Sequence, residues 1–269
     1  MNNVCCDQAP PNTLKNLDEA IAELQAATHT TDLVIEAVPI LEALNRTLAT
    51  DIYSQFNVPP ADNSAVDGYA LRIEDFAPNK SIVISQRIPA GQAPLRIQDE
   101  TCARIFTGAH IPEGANCVVM QENVALNDDK THISISEALT LGQNIRPMGQ
   151  DIRTGDCILN KGTVLTPQRL GLIASIGIAE VDVYKVLKVA IFSTGNELAE
   201  PGQVVKEGQI YNSNRYLLSG FLKGLNFDIL DLGVIRDDLD STLSALQKAA
   251  SEADVVITTG GASVGEEDY

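Results

Sequence analysis

The fold is decided by the stretch Asp254-Val-Val-Ile-Thr-Thr-Gly-Gly-Ala-Ser-Val-Gly-Glu-Glu-Asp-Tyr269. A short, β-branched apolar run is followed by paired glycines, then by small residues and three acids. This pattern predicts a buried strand that runs into a tight loop. Backbone amides in such a loop can face an anion.

Two earlier stretches have the same design. Each is an apolar run followed by a polar loop, at Leu187–Ser193 and Phe227–Ile235. Helical patterns lie between the three runs, near Ser213–Lys223 and Ser241–Ser251. Strand–helix–strand repeats of this length predict a parallel α/β sheet with right-handed, Rossmann-like connections. The three loops would then lie at the carboxyl edge of one sheet, where such folds bind ligands.

Size and composition narrow the classes of function. With 269 residues the chain is long enough for two or more domains, and its net charge of −17 argues against non-specific binding to nucleic acid or an anionic membrane. No apolar run is long enough to span a bilayer, and the first residues lack the order of a signal peptide, so we expect a cytoplasmic protein. The 5 cysteines show no metal-ligand spacing and the 3 histidines are scattered, which argues against a zinc site.

The N-terminal region is predicted to be mixed. Thr13 could cap a helix that places Leu14, Leu17, Ile21 and Leu24 on one face, a stripe typical of core or of a subunit contact. A short extended piece at 33–35 and a helix at 39–46 follow. Farther along, Thr166-Pro167 suits a cap and first helical position. We assign 1–47 and 141–184 to an N-terminal helical and linking domain.

The sequence pattern of residues 48–140 predicts a small β-rich inserted domain, which precedes the α/β domain at 185–269. Six short β-like runs are punctuated by Gly, Pro, Asn and Asp: 48–53, 69–73, 81–88, 103–106, 116–121 and 132–136. Two loops here could carry chemistry. One holds the acids Asp62 and Asp67, and the other places Thr107 beside a glycine. From composition alone, ordinary turn chemistry is the favoured explanation of both loops.

The predicted α/β region has acidic residues in the loops that follow its strands. Glu197, Asp237 and Asp268 each follow a predicted strand. At an effective dielectric near 20, two unit charges about 4 Å apart repel by roughly 4 kcal/mol, so clustered carboxylates need a cation. Magnesium held by carboxylates and phosphate oxygens is the natural answer. The alternative is that the three acids are solvated and point away from one another.

A competing motif, Gly261-Ala-Ser-Val-Gly265, fits the nucleophile elbow of serine hydrolases. That class needs an acid and then a histidine downstream, yet all three histidines lie far upstream. The glycines are not followed by Lys-Ser or Lys-Thr, so the loop is not a Walker P-loop either.

Taken together, the chain resembles the molybdopterin molybdenumtransferase family, the MoeA and gephyrin E-domain group. The likeness rests on stretches that occur in order along almost the whole chain: Asp62-Asn-Ser-Ala-Val-Asp-Gly-Tyr-Ala, Arg104-Ile-Phe-Thr-Gly-Ala, Val118-Val-Met-Gln-Glu, Asn144-Ile-Arg, Gly149-Gln-Asp-Ile, Phe192-Ser-Thr-Gly-Asn-Glu-Leu, Ile210-Tyr-Asn-Ser-Asn-Arg, Arg236-Asp-Asp and Thr259-Gly-Gly-Ala-Ser-Val-Gly-Glu-Glu-Asp-Tyr. Any one of these stretches is weak, but their combination is specific.

The resemblance implies a reaction in which adenylylated molybdopterin and molybdate give molybdenum cofactor and AMP, with Mg²⁺ as cofactor. It implies a homodimer, in which Asp67 and Thr107 reach the partner's Glu197, Asp237 and Asp268, these last three being the metal ligands. A molybdopterin adenylyltransferase is an implied protein partner. Residues implied to cradle the pterin or the phosphates are Gly260, Gly261, Ser263 and Gly265, with Asn212 and Asn214 shaping the pocket.

The sequence departs from the family in stopping at Tyr269, where members normally continue through the central domain into a C-terminal β-barrel. Residues that the family uses downstream are therefore missing, and we expect poor turnover by these 269 residues alone. Two other functions stay open. A molybdopterin adenylyltransferase would resemble residues 185–269 alone, and a gephyrin-like scaffold would bind a receptor, although no receptor-binding segment is visible.

Overall fold

The computed structural model describes residues 15–28 and 33–260. In the first of these segments, helix α1 (Leu17–Ala27) begins at Asn16, whose side chain accepts a hydrogen bond from the amide of Glu19 in a capping box. The predicted capping residue, Thr13, lies outside the described residues. No residue of α1 is buried, and Leu17 and Leu24 are 74% and 71% exposed. The apolar stripe is thus not core within this chain, and a subunit contact stays a prediction.

The next part of the chain forms a layer of short antiparallel pairs. Its elements are β1 (Ile35–Pro39), β2 (Ile52–Tyr53) and β3 (Asn63–Ser64). The helix predicted at 39–46 is wrong: β1 runs through Pro39, and a single 3₁₀ turn comes next, at Ile40–Glu42. Pro39 is taken up by the pairing of β1 with β12, where it lies opposite Glu180, so the chain leaves the strand only at Ile40.

The β-rich region is a six-stranded sheet in the order β7-β4-β6-β5-β9-β8. Its strands are β4 (Gly68–Leu71), β5 (Ile82–Ile88), β6 (Thr101–Ile105), β7 (Cys117–Met120), β8 (Ala125–Leu126) and β9 (His132–Ser134). Side chains alternate between two buried clusters: Leu71, Cys102 and Val119 belong to one, and Ala70, Ala103 and Val118 belong to the other. Both faces of the sheet are therefore covered in its centre.

The chain then returns to the first layer. The returning elements are β10 (Ile145–Arg146), β11 (Cys157–Leu159), α2 (Pro167–Ser175) and β12 (Glu180–Tyr184). They pair antiparallel with the earlier strands as β10 with β3, β11 with β2 and β12 with β1. Thr166 caps α2 and Pro167 is its first residue, as predicted. Leu48, Leu165, Ile173 and Val183 form the buried core of this layer.

The last region is the predicted parallel α/β unit. Its elements are β13 (Lys188–Thr194), β14 (Leu198–Ala199), β15 (Ile210–Tyr211), α3 (Ser213–Gly224), β16 (Asp228–Ile235), α4 (Leu239–Glu252) and β17 (Val255–Thr259). The sheet order is β16-β13-β17, and both pairings are parallel. Val189, Ile191 and Leu222 are its buried centre.

The fold class predicted from sequence is thus confirmed: a mixed layer and a β-rich sheet precede a parallel α/β sheet. The exact domain boundaries stay a prediction. No helix in the two described segments is long and apolar enough to cross a membrane.

Candidate functional site

The carboxyl edge of the parallel sheet collects three loops. Since β16 and β17 both pair with β13 in the same direction, the chain leaves all three strands at one edge. The loop that carries Glu197 follows the central strand, Asp237 follows β16, and Gly260 follows β17. Ligands of open α/β sheets bind at such an edge. The prediction that these loops share one edge is confirmed.

A cavity of about 180 Å³ lies at this edge, between the loops after β13 and β17 and the start of α3. It is lined by Thr194, Glu197, Tyr211, Asn212, Asn214 and Gly260, among others. Asp237 does not line it. Of the predicted site residues, Gly261, Ser263, Gly265 and Asp268 lie outside the described residues.

Gly260 is a position where no side chain fits. Its φ is +100°, and a Cβ added there would lie 2.5 Å from both the carbonyl oxygen and the hydroxyl of Thr194. At Gly195, in the loop after β13, a Cβ would lie 2.5 Å from a carboxylate oxygen of Glu197 in the same loop. At Gly260 the loop after β17 therefore lies directly against the backbone of Thr194, a close approach that only glycine allows.

Buried polar side chains connect the central strand to its neighbours. Thr259 donates to the Oγ of Ser193 over 2.8 Å, and the Asn212 amide nitrogen donates to the same atom over 3.2 Å. Asn212 also caps α3, because its side-chain oxygen accepts a hydrogen bond from the amide of Arg215. The hydroxyl of Thr194 is buried and has no hydrogen-bond partner in 15–28 or 33–260. Our sequence reasoning missed Ser193, Thr194 and Thr259.

The side chain of Arg215 ties the start of α3 to strand β16 and to the residue after β14. Its Nε bonds to both carboxylate oxygens of Asp231 at 2.9 Å, and its Nη1 lies 2.8 Å from Glu200. The hydrogen bond to Asp231 is the main reason that the pKa of Arg215 is raised. The arginine of the Ile210–Arg215 stretch thus positions the cavity wall, so that Asn212 and Asn214 face the cavity.

The carboxylates of Glu197 and Asp237 differ from that of the next residue, Asp238. In the part of the chain that the structure describes, neither side chain makes a hydrogen bond or an ion pair, whereas the next residue, Asp238, caps α4 through the amide and hydroxyl of Ser241. No group of three or more potential metal ligands occurs within the described ranges. Carboxylate oxygens are the ligands that Mg²⁺ prefers, and of these two acids Glu197 is the one that lines the cavity.

A second pair of predicted residues lies in the β-rich sheet. Asp67 immediately precedes β4, Thr107 follows β6, and both the amide and the hydroxyl of Thr107 donate to one carboxylate oxygen of Asp67 over 2.8 Å. These hydrogen bonds lower the pKa of Asp67, and the one from the Thr107 amide has the larger effect. The structure therefore brings together two residues that are 40 positions apart.

The neighbouring acid, Asp62, has a structural role. Its side chain accepts a hydrogen bond from the amide of Met148 over 2.7 Å, a contact between residues 86 positions apart. Strand β3, next to it, pairs with β10, so two of the stretches that carry the family resemblance meet in space. For Asp62 the explanation by turn and loop chemistry is sufficient.

The two groups of site residues lie on different sheets of the described chain. Between residues 33 and 260, no hydrogen bond or ion pair joins Asp67 or Thr107 to Glu197 or Asp237.

Comparison with known proteins decides the family. A family model described as the MoeA N-terminal region, domains I and II, matches residues 15–177. The chain belongs to the MoeA family. A second model, described as a probable molybdopterin binding domain, matches residues 190–269 and covers the parallel sheet and its loops.

Relatives and solved structures agree with this assignment. The molybdopterin molybdenumtransferase of Haemophilus influenzae is 45% identical over 236 residues, which are 87% of this chain and 58% of that protein. Molybdopterin molybdenumtransferase 2 of Mycobacterium tuberculosis is 36% identical over 234 residues, 85% of this chain and 57% of that protein. A crystal structure of the molybdopterin biosynthesis MoeA protein of Pyrococcus horikosii superposes with a TM-score of 0.80 at 34% identity, over 91% of this chain and 63% of that one. The chain thus spans less than two thirds of the length of these MoeA relatives.

Proposed function

We propose that this chain acts in molybdenum cofactor biosynthesis as part of a molybdopterin molybdenumtransferase. The reaction is the insertion of molybdate into adenylylated molybdopterin, with release of AMP and molybdenum cofactor. The observation that carries the proposal is the cavity at the carboxyl edge of the parallel sheet, where Gly260 packs on Thr194 beside the free carboxylate of Glu197. A phosphoanhydride substrate calls for backbone amides and a cation, and this edge has a close backbone approach at Gly260 and a carboxylate, Glu197, that could hold a cation.

Glu197 and Asp237, with Asp268 from the end of the chain, are the proposed ligands of Mg²⁺. When bound, the ion would neutralise phosphate charge and stabilise the leaving AMP. The chain's own contribution is to hold these oxygens at loop positions set by β13 and β16. Gly260, Gly261, Ser263 and Gly265 are the proposed phosphate contacts, and Asn212 and Asn214 the walls of the pocket.

The proposed assembly is a homodimer whose sites are shared, with Asp67 and Thr107 of one subunit facing the metal ligands of the other. Two observations support it. The Asp67–Thr107 pair lies on a different sheet from Glu197 and makes no contact with it through hydrogen bonds in the described part of one chain, and the apolar face of α1 is exposed. A cytoplasmic location and a molybdopterin adenylyltransferase partner complete the proposal.

Incubation with adenylylated molybdopterin, molybdate and Mg²⁺ tests the function. AMP release together with molybdenum cofactor is expected from the protein with the full length of its relatives, and much less from these 269 residues alone. Robust turnover by the 269 residues would refute the second expectation. Consumption of ATP with free molybdopterin, in place of AMP release, would show a molybdopterin adenylyltransferase and overturn the proposal.

A further inference from the structure

Two arginines surround one aromatic ring on the β-rich sheet. Arg87 of β5 and Arg104 of β6 are direct partners in the parallel pairing of these strands. Their guanidinium carbons lie 4.5 and 4.6 Å from the centre of the Phe106 ring, and that of Arg104 lies 5.1 Å from the ring of Tyr69. Both cations are therefore held against the same aromatic ring.

Among the residues that the structure describes, these two arginines form no ion pair, although Arg104 lies near enough to Asp67 to help lower the pKa of that carboxyl. The chain has 36 acidic residues for 19 lysines and arginines, yet in the described segments neither Arg87 nor Arg104 lies within 4.0 Å of a carboxylate. The hydrogen bonds of Arg104 go to neutral acceptors, the Gly68 carbonyl and the Gln121 side-chain oxygen. Like charges directly opposite each other on neighbouring strands are unfavourable, so an anion that contacts both would stabilise the pair.

The location points to a ligand. Phe106 immediately precedes Thr107, whose amide and hydroxyl hold Asp67. Arg87 is exposed and Arg104 half-buried, so the guanidinium edges can be reached from solvent. An arginine fork matches the oxygens of a tetrahedral dianion, and two forks set its position. An aromatic ring beneath a guanidinium favours the extended side chain and leaves its N–H edge for the anion.

We propose that Arg87 and Arg104, stacked on Phe106, form a binding subsite for a tetrahedral oxyanion, the phosphate of the adenylylated substrate. That the oxyanion belongs to this substrate rests on the proposed function. Molybdate is also a tetrahedral oxyanion, and the test separates the two sources. The contribution of Phe106 is to hold the two guanidiniums in place, and it does not itself contact the anion.

The test is a calorimetric titration of the 269-residue chain with AMP, inorganic phosphate and molybdate. Arg87→Gln is expected to weaken AMP binding about tenfold, since a charge-assisted hydrogen bond is lost. Its melting temperature should stay within about 2 °C of wild type, because the residue is exposed and makes no ion pair with any described residue. Arg96→Gln is the matched control. Arg96 is an exposed arginine near the same sheet that already pairs with Glu113, and its loss should leave AMP affinity unchanged.

Each possible outcome of the titration either supports or overturns the proposed subsite. An Arg87-dependent preference for AMP and phosphate over molybdate supports the substrate phosphate, and an Arg87-dependent preference for molybdate overturns that choice of ligand. Equal AMP affinity in wild type and Arg87→Gln, an equal loss in Arg96→Gln, or no binding of any of the three anions by wild type overturns the subsite. The proposed function is tested separately. Normal KM and turnover in a full-length Arg87→Gln protein would overturn the subsite alone. Arg87-dependent AMP binding without any turnover by the full-length wild type would overturn the function alone.

Discussion

Replacing Gly68 with alanine should damage the β-rich sheet directly beside Asp67. Gly68 is the first residue of β4, and it lies buried between its neighbours β6 and β7. A Cβ added there would lie 1.9 Å from the carbonyl oxygen of Val119 and 2.9 Å from its carbonyl carbon. The obstacle is backbone of the neighbouring strand, so no side-chain rotation can remove it.

The size of the effect follows from these distances. The usual carbon–oxygen contact is about 3.3 Å, so β4 and β7 must separate by roughly 1 Å or more. β4 is hydrogen-bonded on both sides, and this separation breaks ladder bonds on one of them. Overpacking typically costs about 1–3 kcal/mol and occasionally more. We expect the free energy of unfolding to fall by at least about 3 kcal/mol, a loss of roughly 6–12 °C in melting temperature.

The assay is guanidinium denaturation followed by circular dichroism, because the chain has no tryptophan. Gly171→Ala is the matched control. Gly171 lies inside α2 with nothing within 4 Å of its added Cβ, so alanine should stabilise by about 0.5–1 kcal/mol. If Gly68→Ala unfolded within 0.5 kcal/mol of wild type, taken as roughly the spread of neutral surface changes, the close packing of β4 on β7 would be refuted.

Three further predictions concern single side chains. Thr107→Val should raise the pKa of Asp67 part of the way towards its ordinary value, since the hydroxyl donor is lost and the amide donor stays; carboxyl chemical shifts measured against pH report it. Cys157 should react with a thiol reagent at pH 8 in the folded chain, whereas Cys102 should not, because burial raises its pKa to about 12. Thr194→Val should leave the free energy of unfolding unchanged or raise it by up to about 1 kcal/mol, because the buried hydroxyl has no partner among the described residues.

Each of these three predictions has a control or a result that would contradict it. The pKa of Asp67 is lowered in the folded chain, so its hydrogen bonds stabilise above the unfolded pKa of about 4 and are lost as pH falls through the lowered value. If the pKa of Asp67 were the same in Thr107→Val as in wild type, the hydrogen bond assigned to the Thr107 hydroxyl would be contradicted. Burial raises the pKa of Cys117 to about 11, so Cys117 should behave like Cys102. Both should react with the thiol reagent only after the chain is unfolded. Thr259→Val removes a hydroxyl that donates to Ser193, so it should destabilise where Thr194→Val does not, and the reverse order would contradict the hydrogen bonds described.

The parallel sheet was predictable because its signals are local. Each strand is an apolar run with a glycine or acid at its end, and the sequence boundaries differ from the observed ones by about one residue at β13 and β16. The same locality explains α2, where Thr166-Pro167 is itself the start signal. The helix predicted at 39–46 failed for the opposite reason. Its apolar spacing suited a helix, but β1 pairs with β12 some 140 residues away, and tertiary pairing overrode the local pattern.

The contacts of the candidate site residues were harder to predict than the strands that carry them. Asp-Gly at 67–68 is a common turn signal, yet Gly68 serves strand packing and Asp67 accepts hydrogen bonds from Thr107, which no local pattern announces. Likewise, the sequence alone does not tell which of the neighbouring aspartates, Asp237 or Asp238, caps α4. In the structure Asp238 is the cap, because its side chain accepts a hydrogen bond from the amide of Ser241. Thr194 was missed because a hydroxyl inside an apolar strand carries no sequence signal of its own.

The central claim is that the carboxyl edge of the parallel sheet binds a divalent cation together with a phosphorylated ligand. The most direct measurement is AMP affinity as a function of Mg²⁺ concentration, for wild type, Glu197→Gln and Asp237→Asn, with circular dichroism to show that all three are folded. We predict that Mg²⁺ strengthens AMP binding in wild type and does so much less in each variant. Equal magnesium dependence in all three proteins would contradict the claim.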